Sequence, residues 1–279
     1  MIKATNLSFG YKKRRLLYKN LNLSLQVGSI YGLLGKNGAG KSTLLKNFTG
    51  LLFPTSGELT VNGFTPKKRR PSFLETIYFI PEEVYVPSLT ISNYKKMFSP
   101  FYPLFNADQF YSYLDLLDVQ DKGKLNTLSF GQQKKFIIAF ALACNTKILL
   151  LDEPTNGLDI PSKIKFRKLI SSVFSEDKMI FISTHQIRDL DNLIDNVIIV
   201  DAGELLLQAS IAEIGKKLCF KNVIDLPLES EVLYSESSLQ GYAIVAENKT
   251  ADESKVNLEY LFNAVTSNPN KAKSIFHTK

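Results

Sequence analysis

An α/β fold built on a mostly parallel sheet is the class this chain predicts, and three observations carry the prediction. A glycine-rich stretch, Gly35-Lys-Asn-Gly-Ala-Gly-Lys-Ser42, sits between an apolar run and a helical one. A second apolar run, Ile148-Leu-Leu-Leu151, ends in the carboxylates Asp152 and Glu153. Strand-like and helix-like segments alternate from residue 127 to about 205, with apolar runs at Lys178 to Thr184 and Asn196 to Val200. Continuous apolar strands bounded by helices are the pattern of a parallel sheet covered on both faces.

Along the N-terminal part, residues 1 to about 75 alternate short strands with the glycine loop and its helix. Leu25 to Leu34 reads as a strand interrupted by a Gly28-Ser29 turn, Thr43 to Thr49 as helix, and Leu51 to Gly63 as a turn, a strand and a second turn. The stretch GKNGAGKS matches the phosphate-loop pattern G-x-x-x-x-G-K-[ST] in full and has the required order of strand, loop and helix. A triphosphate needs many donors in a concave backbone and a cation that stays charged. Gly35, Gly38 and Gly40 let the main chain curl with its N–H groups inward, and Lys36, Asn37, Ala39 and Thr43 complete the cradle. Lys41 is placed to reach the β- and γ-phosphates and Ser42 to offer its hydroxyl to Mg²⁺. The helix opening at Ser42 aims its positive end at the anion.

The run at 148–151 delivers two acids to the carboxyl edge of the sheet, where ligands bind in folds of this class. Successive strand residues face opposite ways, so the two acids take different tasks. Asp152 is the candidate to hold Mg²⁺ through its water shell, and Glu153 to polarise the water that attacks the γ-phosphate. Upstream lies Leu128-Ser-Phe-Gly-Gln-Gln133, followed at once by a helical run from Lys134 to Cys144. Ser129, the Gly131 N–H and a helix N-terminus there form a second anion-binding surface; the same residues equally suit a plain helix cap with Ser129 as N-cap.

Taken together, GKNGAGKS, LSFGQQ, ILLLDEPTNGLD and the histidine of ISTH185 resemble the nucleotide-binding subunit of an ATP-binding cassette transporter, over roughly residues 1 to 210. LSFGQQ is similar to the family's signature segment, usually written LSGGQ. The resemblance implies a P-loop NTPase core with an antiparallel β subdomain and a helical signature subdomain, and a dimer whose signature segments, here Ser129, Gly131 and Gln132, close over the partner's ATP. It implies that Tyr11 stacks on adenine, that Asp159 speaks across the dimer, and that His185 contacts the γ-phosphate and holds the water and Glu153 in line. It also implies a separate integral membrane permease as partner, with the dimer formed by two copies of this chain or by this chain and a second ATPase subunit. Two departures stand out. Glu82, in Tyr78-Phe-Ile-Pro-Glu82, replaces the glutamine that commonly touches Mg²⁺ and the water, keeping an oxygen for the metal while losing an N–H donor. Phe130 replaces the first signature glycine, and its ring either crowds the nucleotide or points away into the partner.

Between Glu83 and Asn126 the texture changes. Tyr85, Tyr94, Phe98, Phe101, Tyr102, Phe105, Phe110, Tyr111 and Tyr113 crowd into a helically spaced segment, and most of these rings are expected in the core of a small subdomain. In the family that subdomain also offers a groove to the membrane subunit. The expected division is therefore a core of residues 1–82 and 127–205, a helical insertion at 83–126, and a short α/β extension at 206–279. In the extension, Asn222 to Leu226 and Gly241 to Val245 read as strands and Val256 to Val265 as an amphipathic helix. Leu258-Glu-Tyr-Leu-Phe262 is similar to the closing helix of exporter-type subunits, and the direction of transport rests on that likeness.

Composition fits the same picture. The densest apolar run, Phe136 to Cys144, is far shorter than the roughly 18 residues that suggest a membrane span, and the N-terminus lacks the features of a secretory leader. The expected place is cytoplasmic, on the inner face of the membrane. Cys144 and Cys219 read as buried reduced thiols. The net charge of +7 is dispersed, with clusters at Lys12 to Arg15 and Lys67 to Arg70 and no basic helix or aromatic platform, so no nucleic-acid partner is expected. Two other readings stay open on sequence: a soluble ATPase of this fold acting on ribosomes or DNA, and a nucleotide-gated switch with little turnover.

Overall fold

The computed structural model describes residues 1–12, 15–120, 123–190, 192–225, 227–228, 232–239, 241–249 and 254–277. Strands β1 (Ile2–Phe9), β2 (Tyr18–Leu25) and β4 (Ser56–Val61) form an antiparallel sheet ordered β2-β1-β4. The central sheet contains β3 (Ser29–Leu34), β5 (Ile77–Ile80), β6 (Ile148–Asp152), β7 (Met179–Thr184), β8 (Asn196–Asp201) and β9 (Glu204–Ser210) in the order β5-β6-β7-β3-β8-β9. Its neighbours run parallel except β9, which returns antiparallel along β8. Leu25 closes β2 and Gly28, at φ 79°, turns the chain into β3, so the expected strand over 25–34 is two strands in different sheets.

Alternation along the central strands feeds two cores. Ile30, Leu149, Leu151, Ile180 and Ile182 face the helices on one side, whereas Tyr31, Leu33, Leu150 and Phe181 face α1 (Lys41–Phe48) and the antiparallel sheet on the other. Each strand is buried on both faces, which is why β3, β6 and β7 read as unbroken apolar runs rather than alternating ones. A short α2 (Pro71–Leu74) leads into β5.

The helical insertion holds α3 (Ile91–Phe98) and α4 (Ala107–Leu116), capped by the side chains of Thr90 and Asn106. Both rest on α5 (Phe130–Ala143), which is buried continuously from Lys134 to Ala143. Phe140 is the hub: its ring lies 5.0 Å from Tyr94, 5.2 Å from Phe105, 5.7 Å from Phe110 and 6.2 Å from Tyr78. The expectation that most of the nine rings are buried is corrected. Tyr94 and Phe110 are buried, four are half-buried, and Tyr85, Phe101 and Tyr111 are exposed. The stripe is wider than the face α5 can cover, and Phe98, Phe101 and Tyr102 wall an open cleft.

After α6 (Ile160–Val173) and the last central strands come α7 (Ile211–Lys217) and an antiparallel sheet of β10 (Leu218–Val223), β11 (Val232–Ser238) and β12 (Gly241–Glu247), ordered β10-β12-β11. Helix α8 (Leu258–Ser267) packs on this sheet and on the turn at Ile187–Leu190, and α9 (Pro269–His277) lies on β9. The division drawn at 205 passes through β9, a strand whose ladder ties it to the core sheet. The strand read at 222–226 is β10 instead, ending at Val223; Leu226 lies outside the described residues, as do Lys13 and Arg14 of the first basic cluster. Among the described residues no helix is long and apolar enough to cross a membrane.

Candidate nucleotide site

Parallel order brings three chain segments to one edge. The loop Gly35–Gly40 leaves β3, Asp152 and Glu153 end β6, and Thr184 and His185 end β7, while registers Leu34↔Thr184 and Asp152↔Ser183 hold the three strand ends level. Glu82 follows β5, the neighbour of β6. Gly40 caps α1 at φ 100° and Gly38 sits at φ 81°, conformations that side chains rarely adopt. The helix opens at Lys41, one residue earlier than expected.

Lys41 is buried, and its Nζ donates to the carbonyls of Gly35 at 2.8 Å and Lys36 at 3.3 Å, with Glu153 Oε1 at 3.8 Å. Burial lowers its pKa, an effect opposed by Glu153, Asp152 and Glu82, so the acids around it preserve its charge. The Lys36 side chain points outward to Asp201, 3.6 Å away, and Asn37 and Gly38 are exposed. Ala39 and Thr43 are buried and Ser42 half-buried. Tyr11 is 67% exposed, and its hydroxyl shares a hydrogen bond of 2.9 Å with Thr43 Oγ1.

The two acids face different partners, as their alternation requires. Asp152 is buried and its Oδ1 accepts from Ser183 Oγ. Glu153 adopts a left-handed backbone at φ 45°, and its N–H donates to Ser183 O at 2.9 Å. Its carboxylate accepts from Thr184 Oγ1 at 2.9 Å and from the His185 N–H at 2.9 Å, and His185 Nδ1 lies 2.8 Å from Oε1. His185 is thus locked to the acid by one ring nitrogen, leaving its ring partly exposed beyond it. Ser42, Asp152 and Glu82 are hard oxygen donors of the kind Mg²⁺ takes. Among the described residues no three His, Cys, Asp or Glu form a cage.

The signature turn packs against its own chain. Ser129 caps α5, accepting from the Gln132 N–H at 3.3 Å, so the capping role is real. The Phe130 ring lies on Gly157, where a Cβ would meet it at 2.7 Å, and Gly131 approaches the Gly157 carbonyl. The Phe130 ring thus takes neither expected orientation but lies over the loop after Glu153 in its own chain. Asp159 caps α6, accepting from the Ser162 N–H at 2.9 Å, and its bonds to Ser162 hold its carboxyl below the usual range.

Two site features were missed in the sequence. Lys134, read only as the start of a helix, is fully buried and donates to the carbonyls of Glu153 at 2.6 Å and Glu82 at 3.1 Å. Asn156 donates to Glu82 Oε1 at 3.0 Å and accepts from Gln186 Nε2 at 2.9 Å. Lys134 stands among the polar residues of LSFGQQKK, where nothing marks it as buried; only its place two residues before a nine-residue apolar run was a signal.

A phosphate loop, a strand-end acid pair and a histidine locked to the second acid define a nucleoside triphosphatase of the α/β class. The profile of the ABC transporter family matches residues 18–156. The bacitracin transport ATP-binding protein BcrA of Bacillus licheniformis is 32% identical over 221 residues, covering 78% of this chain and 72% of that protein. The lantibiotic transport ATP-binding protein SrtF of Streptococcus pyogenes is 34% identical over 217 residues, covering 75% and 90%. The dimeric post-hydrolysis structure of the ATP-binding cassette MJ0796 with ADP and Pi superposes with a TM-score of 0.66 at 27% identity, covering 75% of this chain and 98% of that one. The chain belongs to the ATP-binding subunits of ABC transporters: it binds ATP and hydrolyses it.

Proposed function

We propose that the chain binds Mg·ATP with residues 35–43 around the phosphates and Tyr11 against the base, and that two cassettes close over two nucleotides to drive a membrane permease. The single observation that carries this is the Glu153 carboxylate, placed 3.8 Å from Lys41 Nζ and held by Thr184 and His185. In that position Glu153 takes the proton from the attacking water while Lys41 and the loop N–H groups meet the charge on the γ-phosphate. Ser42, Glu82 and Asp152 would hold a Mg²⁺ ion, which would supply positive charge against the phosphate oxygens. His185 presents its free ring edge to the γ-phosphate, and Ser129, Gly131, Gln132 and Asp159 serve the nucleotide of the other cassette.

The permease docks in the cleft beneath the helical insertion. This cleft, about 790 Å³, is walled by Leu51, Leu74, Tyr78, Phe98, Phe101 and Tyr102, and Phe101 is 67% exposed at its rim. An apolar face of this kind suits a helix of a membrane protein. The chain then lies on the cytoplasmic face of the membrane, with residues 206–279 as an extension of the core. Export is the proposed direction, and the cargo is proposed to resemble those for which the relatives are named, bacitracin and a lantibiotic.

The test is steady-state ATPase activity of the full chain beside Glu153→Gln, with ATP-dependent dimerisation followed in the same samples. Loss of general-base catalysis predicts a fall of about 10²- to 10⁴-fold in turnover and accumulation of an ATP-bound dimer. Turnover in Glu153→Gln within about threefold of wild type would remove Glu153 from this role.

A further inference from the structure

A buried ammonium is an expensive way to fill space, and packing does not account for Lys134. The rest of the buried stretch of α5 is filled by apolar or uncharged side chains apart from Lys135, and an aliphatic residue at 134 would pack as well. What Lys134 does make is specific. Its Nζ reaches the carbonyl of Glu153 at 2.6 Å and that of Glu82 at 3.1 Å, and lies 5.8 Å from the centre of the Phe130 ring. These partners belong to three segments: the end of β6, the loop after β5, and the first turn of α5.

Glu153 is held where its backbone is least at ease. A left-handed conformation in a non-glycine residue persists only when its surroundings over-determine it. The N–H bond to Ser183, and the carbonyl bonds from Lys134 at 2.6 Å and from the Asn156 N–H at 3.2 Å, fix the peptide planes on its two sides and so the direction in which its carboxylate leaves the chain, with Lys134 the shorter of the two grips on the carbonyl.

We propose that Lys134 is a positioning residue for ATP hydrolysis: by gripping the carbonyls of Glu153 and Glu82 together, it aims the Glu153 carboxylate and ties that aim to the signature helix. The proposal rests on the reading of Glu153 as the group that takes the water's proton. Phe130 completes the arrangement by covering both the ammonium and Gly157, so that the turn, the grip and the loop after Glu153 move as one body. Displacement of α5, or of the loop carrying Glu82, then reaches the carboxylate through a single side chain.

The experiment compares wild type, Lys134→Met, Lys134→Gln, Glu153→Gln and Lys134→Met/Glu153→Gln as full chains, reading kcat, KM for ATP, ADP affinity and melting temperature. Misaiming the base predicts a kcat lower by about tenfold or more in Lys134→Met with KM and ADP affinity within about twofold. Lys134→Gln keeps an N–H donor, so its kcat falls only about three- to tenfold. Since Lys134 acts through Glu153, adding Lys134→Met to Glu153→Gln lowers the residual turnover no further. A Lys134→Met kcat within twofold of wild type, nucleotide affinity falling as far as kcat, or losses that multiply in the double variant would each overturn the proposal. Should Lys134→Met prove insoluble, the kcat and affinity of Lys134→Gln decide by the same limits. Turnover persisting in Glu153→Gln sinks the reading of Glu153; normal turnover in Lys134→Met beside an inert Glu153→Gln sinks Lys134 alone.

Discussion

Replacing Tyr11 by alanine separates base recognition from phosphate recognition in this site. The ring is 67% exposed, its hydroxyl meets Thr43 Oγ1 at 2.9 Å, and its edge meets Phe9 with centroids 5.0 Å apart at 87°. Removing a net hydrogen bond of this kind costs about 1 kcal/mol, and the edge contact, half in solvent, adds about 0.5 kcal/mol. At about 2–4 °C per kcal/mol for a chain of this size, the melting temperature falls by only a few degrees. The loss in binding is larger, because stacking of a base on an aromatic ring is worth about 1–3 kcal/mol. That weakens ATP by about 5- to 150-fold at 1.4 kcal/mol per tenfold. Isothermal titration with ATP and with inorganic tripolyphosphate reads the two halves: the first weakens in Tyr11→Ala and the second does not. Tyr11→Phe keeps the ring and binds ATP within about threefold of wild type. Equal losses for ATP and tripolyphosphate, or ATP affinity within twofold of wild type in Tyr11→Ala, would refute the base platform and leave Tyr11 as a brace for Thr43.

Three further outcomes are expected. Phe140→Ala empties the aromatic hub that joins the helical insertion to the sheet, lowering stability by about 3–5 kcal/mol in urea unfolding followed by circular dichroism. Phe101→Glu places a charge at the rim of the apolar cleft, and pull-down from membranes is expected to lose the permease while ATPase activity of the isolated chain stays within about twofold. Burial pushes the Cys144 thiol well up, so it stays protonated and unreactive; native chain at pH 9 leaves Cys144 unlabelled by iodoacetamide, and urea exposes it.

The parts legible in the sequence were those where one local signal decides one local structure. Gly35 to Ser42 specify the loop because few residue types tolerate the conformations at Gly38 and Gly40. The runs ending at Asp152 and Thr184 read as buried parallel strands because both their faces are covered. What stayed hidden depends on residues distant in the chain. The strand Leu25 to Leu34 divides because β2 pairs with β1 and β3 with β7, partners that no window of sequence contains. Tyr85, Phe101 and Tyr111 look no different from Tyr94 until α5 is seen to have room for only some of the rings. Lys134 read only as the start of a helix because only the fold brings the carbonyls of Glu82 and Glu153 to it, 52 and 19 residues away along the chain.

The two departures from the family signature, Glu82 and Phe130, belong to one neighbourhood, and that changes what each costs. A carboxylate in place of an amide at Glu82 loses an N–H donor, yet Asn156 supplies one to its Oε1 from the opposite side. The added negative charge sits near the buried ammonium of Lys134, which otherwise would face only carbonyls and two acids. Phe130 in place of glycine adds a ring, and the ring finds its space because residue 157 is a glycine at φ 79°. From Glu82 the contacts continue through Asn156 to Gln186, and from Gln186 to Lys163, which also holds Asp189. Side chains thus join the loop that enters the helical insertion to the residue beside His185 in a continuous hydrogen-bonded path. Since the insertion forms one wall of the cleft and His185 holds Glu153, a change of shape at the docking face has a contiguous physical route to the acid, carried by groups that each have a partner to exchange.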